Sequence, residues 1–151
     1  MTQVSQKCQY TLRALFELAK RQGNEPVTVA EIAEAQAIPR RFLELIFLDL
    51  RERGVVESRR GSRGGYALMT SPETISVGDI IRAVDGSLAP VKCVAGRSDE
   101  QCRLRNRCVF VTVWQKAQRA MEEVYDQTTL QNLIDDERTA ARPNGVLVHA
   151  V

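Results

Sequence analysis

Apolar residues recur at three- and four-residue steps near the start of the chain. Cys8, Leu12, Leu15, Phe16 and Ala19 share one face of a predicted helix over residues 7–22, with Arg13, Glu17 and Lys20 off that face. The stretch GNEP ends it. Thr28, followed three residues later by Glu31, makes a capping box, and Ile32 and Ala33 begin the short apolar face behind it. The tripeptide AIP makes a turn. Pro39 suits the first turn of the next helix, where its missing N–H has no helical partner. That helix covers RRFLELIFLDLRER, with Phe42, Leu43, Ile46, Phe47 and Leu50 inward and Gly54 as its stop.

The periodicity then shortens. VVES and YAL read as two strands, and the glycines of RGSRGG between them permit positive φ, so a hairpin is predicted. SPETISVGD is a linker in which Ser76 and Asp79 cap the helix VGDIIRAV. A long helix starts near Val109. Val109, Val113, Ala117, Ala120 and Val124 follow steps of four, four, three and four, close to a coiled-coil seam, although the β-branched start VFVTVW also suits a strand. TTLQNLIDD is a final amphipathic helix.

The 151 residues fit one domain with an extension or two small modules. The expected division is a winged helix-turn-helix over 1–75, a linker helix, cysteine loop and dimerisation helices over 76–138, and a disordered tail over 139–151. The fold class is mainly α with a small β-hairpin wing. Net charge is only +2, so composition alone announces no polyanion partner. Its distribution is more telling, because residues 40–66 carry Arg40, Arg41, Arg51, Arg53, Arg59, Arg60 and Arg63. No signal-peptide core and no run of ~20 apolar residues occurs, so a cytoplasmic protein without a membrane partner is expected.

Helix, capped helix, tight turn, helix and glycine-tipped hairpin is the order of a winged helix-turn-helix, and double-stranded DNA is the expected partner. Arg40 and Arg41 would enter the major groove, with Arg51 further along the helix and Thr28 at the start of the preceding one. The wing would offer Arg59, Arg60, Ser62, Arg63 and Tyr66, with Gly64 and Gly65 letting backbone approach phosphates. Glu44 either accepts from cytosine N4 or serves as an i,i+4 partner of another side chain. The plain alternative is a solvated basic face on an ordinary helical domain.

Three of the four cysteines lie in CVAGRSDEQCRLRNRC, residues 93–108. Free cysteine is usually buried, yet Cys93, Cys102 and Cys108 have Arg, Asp, Glu, Gln and Asn as neighbours. Gaps of eight and five residues suit a loop around a multi-iron cluster, whereas structural zinc more often uses ligands two to four residues apart. Thiol–disulfide sensing is the other option. A phosphate loop, a carboxylate–histidine pair and HExxH are all missing from the sequence, so an enzyme is not expected.

YTLRAL, the run from VTVAEIAEAQ to the wing RGSRGGYAL, ISVGDIIRAVDG, the cysteine loop and TLQNLI together resemble the IscR/NsrR/RirA-type bacterial transcription regulators, over roughly residues 3–136. The resemblance implies a homodimer built on the long helix, an inverted-repeat operator, and a [2Fe–2S] or [4Fe–4S] cluster on Cys93, Cys102 and Cys108. It implies a repressor sensing iron, redox state, nitric oxide or cluster supply. Some members lack the cysteines and sense metabolites or partner proteins. IscR-type members take a fourth ligand from a histidine three residues after the last cysteine, and here that position is Val111. NsrR-type members use an acidic residue of the partner's first helix, where the nearest equivalents are Cys8 and Gln9. Cys8 is therefore either the fourth ligand across a dimer or a small core residue; an open iron site is the remaining outcome.

Overall fold

The computed structural model describes residues 4–23, 25–61, 64–95, 102–104 and 107–141. Within them the chain forms α1 (Gln6–Lys20), α2 (Val29–Gln36), α3 (Arg40–Glu52), β1 (Val56–Arg59), β2 (Gly65–Leu68), α4 (Val77–Asp85), α5 (Val111–Gln127) and α6 (Leu130–Ala140). Short 3₁₀ turns fall at Pro72–Thr74 and Lys92–Val94. The expected mainly α architecture with a β-hairpin wing is the observed one.

Side chains fix most helix starts. Ser5 caps α1, and reciprocal capping boxes start α2 (Thr28 with Glu31), α4 (Ser76 with Asp79) and α6 (Thr129 with Asn132). Between α2 and α3, Ala37 takes the left-handed conformation, φ 48°, where glycine is the easier residue. Pro39 stands at the cap of α3 rather than inside its first turn.

Leu15, Ile32, Leu43, Phe47, Val56 and Leu130 are completely buried in one apolar cluster that draws on α1, α2, α3, β1 and α6. Each such side chain contributes about 1.5–3 kcal/mol by leaving water. Ile80 of α4 and Ile134 of α6 join the same cluster. The boundary expected after residue 75 therefore does not divide the core. The return of α6 is sealed by backbone bonds on either side of the Ser76–Thr129 bridge, from Val77 N–H to Thr128 O (2.8 Å) and from Leu130 N–H to Ile75 O (3.0 Å).

Two positions depart from the helical-face reading. Glu17, expected off the buried face, is only 4% exposed. It lies where α1 meets the end of α2, and Gln36 Nε2 (2.9 Å), Lys20 Nζ (3.0 Å) and Arg21 Nη2 (3.1 Å) surround its carboxylate. Burial alone would raise its pKa, but the bonds from Gln36, Lys20 and Arg21 outweigh burial and hold it below the ordinary range. Phe42, expected inward, is largely exposed. Phe42 lies at the edge of the inward stripe of α3, with its ring 6.0 Å from that of Tyr10. The tail also starts later than expected, since α6 runs to Ala140; residues 142–151 lie outside the described residues.

The hairpin pairs Val56 with Leu68 and Arg59 with Gly65. Val27 adds a bridge to Tyr66, N–H to O in both directions at 2.9 and 2.8 Å. A Cβ on Gly65 would stand 2.5 Å from Val27 O. The glycine is thus set by the close approach of the bridging residue Val27, not by the turn. Gly65→Ala is expected to lower stability by about 1–3 kcal/mol in denaturant titration. An unchanged midpoint would mean that the bridge does not form.

Acid is expected to act through Glu17. Its depressed pKa makes its contribution full above the ordinary glutamate value of ~4.3 and progressively lost as pH falls through the depressed value. Glu17→Gln is expected to flatten the fall in thermal midpoint across that acid range, and a slope identical to the parent would remove Glu17 from it.

Candidate nucleic-acid interface and cysteine loop

The helix-turn-helix exposes the start of α3. Arg40 is its first residue, and its Nε donates to Glu44 Oε1 at 3.0 Å. Of the two readings of Glu44, the i,i+4 partner is thus formed in the free protein. Both groups are exposed, so the pair is weak and Arg40 can exchange it for a phosphate at small cost. The Arg41 guanidinium lies 5.4 Å over the Phe42 ring, and Arg51 is exposed near the other end of α3.

On the wing, Arg59 Nη2 pairs with Glu57 Oε1 at 2.7 Å, and Arg60 is exposed. Ser62 and Arg63 lie outside the described residues. A Cβ on Gly64 would stand 2.9 Å from Arg59 O, so this glycine answers to the hairpin's own backbone, whereas Gly65 answers to Val27. Tyr66 stacks on Phe47 with ring centroids 4.5 Å apart, pinning the wing to α3. Thr28 caps α2, with its hydroxyl and N–H donating to Glu31 Oε2 at 2.7 and 2.8 Å in the free chain.

The cysteine loop joins α4 to α5. Cys93 is exposed in the 3₁₀ turn Lys92–Val94, which packs against α5. Cys102 is exposed, and Cys108 is half-buried with its carbonyl accepting from Val111 N–H at the start of α5. None forms a disulfide. Residues 96–101 and 105–106 between them lie outside the described residues, as does His149. Among the described residues, no three His, Cys, Asp or Glu side chains converge on a metal position. The donors nonetheless suit a soft metal, being three free thiols outside the apolar core.

Cys8 is different. It is completely buried, packed with Ile81 and Leu88 between α1 and α4. Burial first, and then the nearby Asp85 carboxylate, push its thiol up to about 12. In the single chain its packing matches the core reading. Gln9 beside it is exposed, with Nε2 donating to Val4 O at 2.9 Å.

On the outer face of α3, Leu45 and Leu48 stand in solvent, a feature absent from the sequence expectations. They lie off the stripe of Leu43, Ile46, Phe47 and Leu50, so the signal was present in the sequence. The expected seam of α5 is open as well: Val109, Val113 and Val124 are exposed, and α5 contributes no buried residue. Among the described residues no helix is long and apolar enough to cross a membrane.

A family model described as Rrf2, iron-dependent transcriptional regulator, matches residues 4–136. The HTH-type transcriptional regulator IscR of Vibrio vulnificus is 35% identical over 133 residues, covering 88% of this chain and 77% of the relative. The solved structure of IscR from T. potens superposes with a TM-score of 0.78 at 35% identity, over 95% of this chain and 93% of that one. The structure of CymR, described as the global cysteine regulator of B. subtilis, gives a TM-score of 0.73 at 34% identity, over 89% of this chain and 98% of that one.

The burial pattern predicts unequal thiol chemistry. In native protein without bound metal, a thiol-reactive dye is expected to label Cys93 and Cys102 quickly and Cys108 more slowly. Cys8 should react only after denaturation, as read by peptide mass spectrometry. Rapid native labelling of Cys8 would contradict its core placement.

Proposed function

The chain belongs to the Rrf2 family of transcriptional regulators, and from that premise we propose a cytoplasmic homodimeric repressor whose operator binding is controlled by an iron–sulfur cluster. Its relatives are transcriptional regulators and not enzymes. The observation that carries the reading is the position of the three free thiols. They occupy the segment between α4, which shares the core of the winged domain, and α5, the helix with no buried side chain.

In this reading, α3 lies in the major groove of an inverted-repeat duplex, with Arg40, Arg41 and Arg51 near phosphates and base edges. The wing arginines, Arg59, Arg60 and Arg63, neutralise backbone charge. Two copies pair through the apolar side of α5, where Val109, Val113, Ala117, Ala120 and Val124 leave water together. Cys93, Cys102 and Cys108 hold the cluster, [2Fe–2S] or [4Fe–4S], and the fourth position falls to solvent, a small anion or a non-cysteine donor because Cys8 is buried. The bound cluster would supply redox-active iron that responds to iron supply, oxygen or nitric oxide. The protein's own part is mechanical. Arg82 ties α4 to Asp126 at the end of α5 at 2.6 Å, and Asp85 at the end of α4 accepts from Ser5, the cap of α1, at 2.5 Å and 2.8 Å. A shift of the cysteine segment therefore has a polar path to the helix that carries α3.

A second reading, a metal-free thiol switch on the same scaffold, is favoured by the exposure of Cys93 and Cys102 and by the likeness to a cysteine regulator. Anaerobically purified protein separates the two. Visible absorption with bound iron and sulfide is expected. Protein that stays colourless and iron-free after reconstitution would sink the cluster and leave the thiol switch. Cys102→Ala is expected to lose the iron while remaining a folded dimer in sizing chromatography, because the apolar side of α5 does not include the loop. Arg60→Ala is expected to weaken operator binding and reduce the slope of log affinity against log salt by about one. An unchanged slope would remove Arg60 from the interface.

A further inference from the structure

The outward side of α3 is unlike an ordinary solvated helix face. Its inward stripe is Leu43, Ile46, Phe47 and Leu50. Opposite them stand Leu45, 66% exposed, and Leu48, 43% exposed, three residues apart and so neighbours on one face. Neither packs against either apolar cluster. Leaving two leucines in water forfeits the stabilisation that burial would provide, and nothing among the described residues recovers it. The charged groups nearby do not cover them. Glu44 is held by Arg40, and Arg41 leans over Phe42.

The cations bracket this apolar patch. Arg41 and Arg51 are ten residues apart on one helix, about 15 Å along its axis. A major groove is about 12 Å wide, so guanidinium groups at the two ends can reach the flanking phosphates while the middle of the helix faces the bases. The groove floor carries donors, acceptors and one apolar group, the thymine C5-methyl. A helix that presents leucines there has one complementary partner.

We propose that Leu45 and Leu48 are specificity-determining residues that pack on thymine methyl groups in the major groove. The inference rests on the reading of α3 as the DNA-contacting helix and adds the base chemistry it selects. The operator half-site then has a thymine under each leucine, and Glu44 and the arginines set orientation around that contact.

The test begins with duplexes selected from a random-sequence library by the full-length protein. Each thymine of a selected duplex is replaced in turn by deoxyuridine, which removes the methyl and keeps every hydrogen-bonding group. The parent protein is expected to lose about four-fold in affinity per methyl at one or two thymines of each half-site and nothing at the others. Leu45→Ala should bind the thymine and deoxyuridine duplexes equally at one of those positions, and Leu48→Ala at the other. Both side chains are exposed, and an unchanged circular dichroism spectrum checks that the variants fold. If the parent is indifferent to every thymine methyl, or if both variants keep its discrimination, the inference fails while selection of a common duplex leaves the DNA-binding reading standing. Failure to select any duplex would overturn that reading and the inference with it. Variants that change oligomeric state in sizing chromatography but keep the discrimination would assign the leucines to contact between copies, which also overturns it.

Discussion

Helix α1 is the constraint on which the rest of the structure depends. Helices α2, α3, α4 and α6 and strand β2 all pack on it. Its middle supplies Ala14, Leu15 and Leu18 to the main apolar cluster. Its two ends are fixed by polar groups. At the start, the Ser5 cap is clasped by Asp85 of α4; at the end, buried Glu17 gathers Gln36 of α2 together with Lys20 and Arg21, and Lys20 goes on to Glu137 of α6 at 3.2 Å. Removing Glu17 would strand amide and cationic partners at a helix junction, and such buried networks fix geometry as well as add stability. The recognition unit and the segment leading to the cysteines therefore share one rigid element.

That sharing explains why α4 and α6 do not behave as a second domain. A linker helix carries Ile80 into the core of the winged unit, and Gly78 lets the end of α5 come close: a Cβ there would run into Asp126 and Arg82. The glycine gives room to this Arg82–Asp126 pair, since it lies inside α4 with no need for unusual backbone angles. The result is a winged domain from which α5 extends as the one long element without a buried side chain. Its exposed apolar side, with Val113 and Val124 in water, argues for a covering partner.

Much of this was legible in the sequence because the signals were local. Capping boxes at Thr28–Glu31 and Ser76–Asp79, the stop at Gly54 and the glycine-rich hairpin are each set by neighbours a few residues apart. What sequence reading misplaced depends on contacts between elements. Glu17 looks like a surface residue until Gln36 arrives from α2 to bond it. Phe42 looks like core until the turn through Ala37 sets the roll of α3. Gly64 and Gly65 carry a packing role that the sequence did not show, set by the Arg59 and Val27 carbonyls beside them. The role of Cys8 likewise turned on its neighbours, Ile81 and Leu88, more than seventy positions away in the chain.

The four cysteines divide by the same logic. Cys8 sits among apolar side chains beside a carboxylate, both of which favour the neutral thiol, and so it behaves as a small hydrophobe. Cys93, Cys102 and Cys108 gain nothing from the core. Thiols that do not stabilise the fold and stand in reach of solvent are exposed to oxidation, a cost without a structural return. In the proposed reading their chemistry is their use, as metal ligands or as redox partners of one another. Either use acts at the same place: the connection over residues 86–110, whose one end is tied through α4 to α1 and whose other end is the first turn of α5. Drawing three thiols together, by metal or by oxidation, shortens that connection. The element free to answer is α5 and whatever covers it, because α4 is already locked into the core.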